Sequence, residues 1–237
     1  MRRSILLTSL LLSFCIGAGA LSIFDIQYTT SRGVDGSYPS PYLGKTVTIE
    51  GVVTSRDYRG GGFFLSEPVS GAWRGILVND TAYNPAVGSH VRITGEVAET
   101  FGMTCLRNIS NYRLLDSNRT LPNPVIISSG QLANPMEAEA YEGVYARILN
   151  TTSSGAKTRN GRFMVNDGSG QCSVVLGSFG GRSSTPPVGT QYSQIVGIVV
   201  FGYGEYSLNP ISSSDMQMQQ PVSVQNRSWG KIKSIYK

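Results

Sequence analysis

The sequence predicts an all-β chain of two tandem five-stranded modules behind a signal peptide. Three observations carry this. First, the stretch Gly61-Gly62-Phe63-Phe64-Leu65-Ser66-Glu67-Pro68 returns about a hundred residues later as Gly161-Arg162-Phe163-Met164-Val165-Asn166-Asp167-Gly168, and its flanks return with it. Tyr42-Leu43-Gly44 comes back as Tyr141-Glu142-Gly143; Val87-Gly88, Gly95, Phe101-Gly102 and Leu106 come back as Val188-Gly189, Gly197, Tyr203-Gly204 and Leu208. Second, 28 glycines and 11 prolines in 237 residues, with few long helix-favouring runs, point to short strands and many turns. Third, the apolar residues alternate, as in Val47, Ile49 and Val53, which is the period of a half-buried strand.

Residues 1–20 combine Arg2 and Arg3, an apolar run over 5–16 and the small residues Ala18-Gly19-Ala20, the pattern of a cleaved secretory signal. The run is shorter than the ~20 residues a spanning helix needs, and no other stretch has that length, so no membrane span is expected. A lipoprotein site at Cys15 is disfavoured because Phe14 stands where a small residue is required. Secretion, or placement in the periplasm or at the cell surface, follows as the expectation. The mature chain then keeps Cys105 and Cys172 at non-equivalent places in the repeat, read as two separate buried thiols or as a bridge between modules.

Residues 21–27 read as an opening strand, and 33–41 as a turn-rich segment. In the first module, 21–120, strands are expected at 46–53, 62–66, 75–79, 91–97 and 104–109. Gly51 and Gly95 lie inside strands, where glycine marks a bulge or a sharp coil. Residues 122–135 connect the modules, with a short helical turn within 130–139. The second module, 121–215, repeats the pattern at 145–150, 161–166, 173–176, 192–201 and 206–211. Residues 216–237 read as a polar linker over 217–225 and a basic amphipathic tail: Trp229, Ile232, Ile235 and Tyr236 fall on one helical face, suited to a protein or envelope partner or an anionic surface.

Five strands with glycines at the coiling points fit OB-fold-like barrels, which close their sheet edges and leave one face open; a β-sandwich is the competing architecture. Tyr42-Leu43-Gly44-Lys45-Thr46-Val47-Thr48-Ile49-Glu50-Gly51-Val52-Val53-Thr54, Phe63-Phe64-Leu65, Gly71-Ala72-Trp73-Arg74-Gly75-Ile76, Gly95-Glu96-Val97 and Phe101-Gly102-Met103-Thr104 resemble the OB-fold modules found beside catalytic domains in secreted bacterial nucleases. The resemblance covers most of the first module, and more loosely the second. It implies an extracellular, nucleic-acid-associated protein. The metal-dependent phosphodiesterase domain of those nucleases has no counterpart in this sequence.

The formal charge of +5 belongs to the ends of the chain. Arg2 and Arg3 leave with the signal, the tail holds Arg227, Lys231, Lys233 and Lys237 without an acid, and residues 21–215 set 14 basic against 15 acidic side chains. Net charge therefore gives no argument for a polyanion trap. Chemistry is equally sparse. His90 is the only histidine and reads as a surface residue; Glu137, Glu139 and Glu142 read as solvated; Asp167-Gly168 reads as a tight turn; no nucleophile has a neighbouring base in sequence. No enzyme activity, cofactor or metal is expected.

For a single- or double-stranded nucleic acid, the residue types needed are aromatic faces and a modest set of cations. The candidates are Tyr58, Arg59, Phe63, Trp73, Arg74 and Arg107 in the first module, and Lys157, Arg159, Arg162, Arg182 and Tyr203 in the second. Phe101, Phe201 and Tyr206 flank them. Aligning Phe64 with Phe163 makes Phe64 buried, and aligning Phe63 with Arg162 turns Phe63 outward. A module that binds protein or a cell-surface polymer would offer much the same residues.

Overall fold

A computed structural model describes residues 20–33, 36–155, 161–180 and 184–219. The signal segment before Ala20, the tail beyond Gln219, and Lys157, Arg159 and Arg182 lie outside the described residues.

The chain opens with a helix, α1 (Ile23–Gln27), where alternation suggested a strand. Ser22 and Asp25 close a capping box: the Asp25 backbone N–H donates to Ser22 Oγ at 3.0 Å and the Ser22 N–H to Asp25 Oδ2 at 3.2 Å. That local pairing wins over extension, and it turns Ile23 and Ile26 together into the first barrel's core. Only Leu21 keeps a strand-like contact, a bridge to Ile49.

The first barrel comprises β1 (Thr46–Tyr58), β2 (Gly62–Ser66), β3 (Gly75–Val78), β4 (His90–Thr100) and β5 (Met103–Asp116). They close in the order β1-β2-β3-β5-β4, with β3 and β5 parallel and the other pairs antiparallel. A sheet that closes on itself in this order is an OB-fold barrel and excludes the sandwich. Of the two strand glycines, Gly95 lies at a register shift between β4 and β5, whereas Gly51 pairs regularly with Val91. Gly51 serves close packing instead: a Cβ there would meet Leu65 Cβ at 3.1 Å and Ile23 Cδ1 at 3.2 Å.

The connection holds β6 (Val125–Ile126), α2 (Ser129–Ala133), α3 (Pro135–Ala138) and a 3-10 turn, Glu139–Tyr141. The second barrel follows as β7 (Tyr145–Ser153), β8 (Arg162–Asn166), β9 (Gln171–Val175), β10 (Gln191–Gly202) and β11 (Glu205–Asn209). β9 and β11 run parallel, and β10 returns to β7 to close the ring. β12 (Met216–Met218) adds to β10, so the start of the segment read as a linker belongs to the second barrel.

Superposing the two ladders corrects the repeat register. Phe63 pairs with Val78 as Phe163 pairs with Val174, and both phenylalanines are buried in their barrel cores. Phe63 therefore cannot stack a ligand, and Arg162 corresponds to Gly62. Phe64 is buried too, but on the opposite face: with Leu77 and Cys105 it packs against Ile198 and Val200 of β10 and against Phe179 and Phe201. All five residues of β2 are buried, while β8 alternates between buried and partly open, since β2 has both faces covered and β8 only its inner one. The second barrel has Met164, Ser173 and Ser207 at the corresponding places, as the paired registers show.

Hydrogen bonds lock the junction. Trp73 N–H donates to Ala140 O at 2.6 Å and Thr104 N–H to Glu142 Oε1 at 2.8 Å, while Gln27 Nε2, which donates to Gly75 O at 2.6 Å, also reaches Glu142 O at 3.5 Å. Glu139 and Glu142, read from sequence as solvated, are buried here, because Tyr206 and Thr104 offer them donors inside the junction. The two thiols are free and buried in different clusters, Cys105 at the junction and Cys172 in the second core.

Asp167 does form a tight local structure. It accepts from the N–H and Oγ of Ser129 at 3.0 and 2.7 Å and from the Ser169 N–H at 3.0 Å, tying β8 to α2. Burial alone would raise its pKa, but these hydrogen bonds prevail and hold it at about 2. The stability it contributes is present above the unfolded value near ~3.9 and is lost as pH falls through about 2. Asp167→Ala should cost about 1–2 kcal/mol at neutral pH, read from the urea midpoint, and should blunt that acid limb.

Candidate binding groove

Burial of the outer face of β2, β3 and β5 removes from the first barrel the surface an OB fold usually opens to ligands. What stays open is the rim where the β1–β2 turn of the first barrel meets the loops of the second.

Arg59 stands at the tip of that turn, with φ at 48°, in the left-handed region that non-glycine residues seldom occupy. Its N–H donates to Ser178 O of the second barrel at 2.9 Å, which fixes the turn across the junction. The guanidinium lies 5.4 Å from the Tyr58 ring centre and 5.9 Å from that of Tyr203. Among the described residues no carboxylate pairs with it. Tyr58 is itself buried, so it supports Arg59 rather than stacking a ligand.

Two hairpin tips frame Arg59. Phe101-Gly102 and Tyr203-Gly204 occupy equivalent two-residue turns with both central φ angles positive, 55° and 82° in one and 57° and 82° in the other. Such turns match the twist of the flanking strands and set their first residue outward. Phe101 is 79% exposed and Tyr203 84%. Gly102 lies so close to the second barrel that a Cβ would come within 2.6 Å of Phe201 Cε1.

Arg59 divides two hollows. One, of about 220 Å³, has Leu77, Met103 and Phe201 in its wall and Asn79, Thr100 and Phe101 among its lining. The other, about 590 Å³ and more open, is bordered by Arg162, Leu176, Ser178 and Tyr203. Arg162 is ion-paired with Glu205, which also accepts from Ser173 Oγ at 3.0 Å, so its charge is compensated.

The structure thus brings together Tyr58, Arg59, Arg162 and Tyr203. It separates the other described candidates. Phe63 is in the core. Trp73 lies edge-on to Tyr28 at 5.5 Å and lines neither hollow. Arg74 is paired with Glu67 and rests over Phe24, and Arg107 is paired with Glu96 at 2.9 Å. Asn79, Thr100 and Met103 carry no sequence signal for this place, because the closing of β3, β5 and β4 within the first barrel makes them neighbours, and the second barrel adds only Phe201 to them. Phe101 did carry one: an aromatic-glycine pair recurring at equivalent hairpin tips.

Among the described residues no group of three or more His, Cys, Asp or Glu side chains is placed to hold a metal ion, and no helix is long and apolar enough to cross a membrane.

No family model matches the chain, and no curated protein matches it. Among solved structures, it overlaps the p204 HINb domain at 15% identity, covering 67% of this chain and 84% of that one, with a TM-score of 0.28. It overlaps the tetrameric p202 HIN2 at 9% identity, covering 80% and 98%, with a TM-score of 0.33. The Ifi202 HINa domain in complex with 20 bp dsDNA overlaps at 10% identity, covering 73% and 97%, with a TM-score of 0.29. At such TM-scores the overlap carries no argument about this chain, whose barrels rest on their own strand pairing.

Proposed function

We propose that the chain is a non-catalytic nucleic-acid-binding protein, acting outside the cytoplasm, whose ligand crosses the groove between the barrels. One observation carries this reading: Arg59, without a carboxylate partner among the described residues, stands between two exposed aromatic tips, Phe101 and Tyr203. A cation flanked by open π-faces matches the alternation of phosphate and base along a strand.

The non-catalytic half rests on side-chain chemistry. The one histidine, His90, faces Glu50 at 3.6 Å and lines neither hollow. Burial raises the pKa of both thiols, that of Cys172 to about 12 with help from the Asp167 charge, so neither is a ready nucleophile. Export is supported by residues 1–20 and by the resemblance to modules of secreted nucleases. Leu21, the first residue of the mature chain on this reading, is tied into the first barrel, its N–H donating to Thr48 O at 2.8 Å. Mass spectrometry of the exported protein should find Leu21 first; a retained Met1 would refute this.

Binding is tested by a salt titration with labelled single strands, duplex DNA and RNA. Affinity should fall steeply with ionic strength, and Arg59→Ala should weaken it by about tenfold and flatten the salt dependence. Absence of salt-sensitive binding to every one of these would leave the reading of a protein- or polymer-binding module in its place.

A further inference from the structure

We propose that the hollow between the β1–β2 turn and the Phe101 tip receives one unstacked base of a single strand, with the adjoining phosphate on Arg59. This rests on the nucleic-acid reading above and narrows its ligand from nucleic acid in general to single strands.

The shape of the open surface argues for it. A strand laid along the first barrel would need the outer face of β2, β3 and β5, yet Phe64 and Cys105 on that face are sealed beneath β10, and Leu77 keeps only the side that lines the hollow. On the first barrel's side of Arg59 the opening that remains is a discrete hollow of about 220 Å³. Its apolar surfaces, Leu77, Met103 and Phe201, suit the faces of a flat ring. Its polar groups suit a ring's hydrogen-bonding edge: the Asn79 amide meets Thr100 Oγ1 only at 3.5 Å, a long bond that a better partner would replace. The Asn79 backbone is meanwhile held, its N–H donating to Leu106 O at 2.8 Å.

Charge and rigidity complete the fit. Arg59 adjoins the hollow and complements a phosphate, while Phe101, held out on a two-residue turn, borders it with a free aromatic face. A base inside a duplex is stacked on both sides and cannot enter such a hollow without leaving its helix. Unpaired bases enter freely.

The test uses the mature full-length chain and three probes: a labelled oligothymidylate of about ten nucleotides, within the span OB folds cover, the abasic strand of the same length, and a duplex of that length. Oligothymidylate should bind at least about tenfold more tightly than either other probe. Phe101→Ala, an exposed change that spares the core, should weaken oligothymidylate binding by about tenfold and leave abasic binding unchanged. Equal salt-dependent binding of the three probes, or equal loss on both single strands in Phe101→Ala, would overturn the base pocket while the nucleic-acid reading stands. If none of the three binds, and RNA does not either, the nucleic-acid reading fails and the pocket assignment with it.

Discussion

Gly75→Ala should destabilise the two-barrel unit by about 3 kcal/mol, the upper range for overpacking, and should loosen one barrel from the other. A Cβ at Gly75 would fall 2.2 Å from Gly143 O and 2.5 Å from its carbonyl carbon. Both are backbone atoms, so no rotamer relieves the clash. Gly143 cannot yield easily, because its own φ of 71° is in the left-handed region and its N–H is engaged with Val199 O at 2.9 Å. Nor can Gly75, whose carbonyl accepts from Gln27 at 2.6 Å. The cheapest relief is a shift of the whole interface. Thiol labelling separates this from global unfolding: Cys105 at the junction should become reactive in native buffer while Cys172, in the second core, stays protected. A urea midpoint within about 0.5 kcal/mol of wild type, the range of an ordinary surface change, would show that the glycine contact is not the pivot it is taken to be.

The barrels were legible in the sequence because repetition and alternation are local signals. Strand positions, the closing role of Gly95 and the hairpin tips all follow from residues a few places apart. The register of the repeat was less secure: aligning Phe64 with Phe163 matched two phenylalanines but ignored which face each strand turns inward. Strand β2 carries no alternation to correct this, since both its faces are buried, one by its own barrel and one by the other. The same cause hid much of the site. Trp73, Arg74 and Arg107 satisfy the composition of a binding face, yet each has a partner brought by the fold: Ala140 and Tyr28, Glu67, and Glu96. Arg59 differs only in what the fold withholds from it. Nothing within ten residues of Glu139 or Glu142 announces burial either; their donors, Tyr206 and Thr104, come from strands of different barrels.

Those glutamates give the second large expectation: the junction should weaken as pH rises from 5 to 8. Burial pushes the Glu139 carboxyl up to about 7, against the hydrogen bond it accepts from Tyr206 and with added repulsion from Glu99. Burial and then the Glu139 charge push Glu142 up as well, opposed by the Thr104 N–H. A carboxyl whose folded pKa exceeds its unfolded one binds its proton more tightly in the folded state. Its contribution to stability is full below the unfolded value near ~4.3 and is lost as pH rises through about 7. For Glu139 alone the loss is on the order of 3 kcal/mol at about 1.4 kcal/mol per pKa unit. Glu139→Gln keeps an oxygen to accept from Tyr206 and removes the titration. Its urea midpoint should match wild type near pH 5 and exceed it at pH 8, with Cys105 labelling in wild type rising over the same interval. Parallel pH profiles for the two proteins would place the titrating group elsewhere.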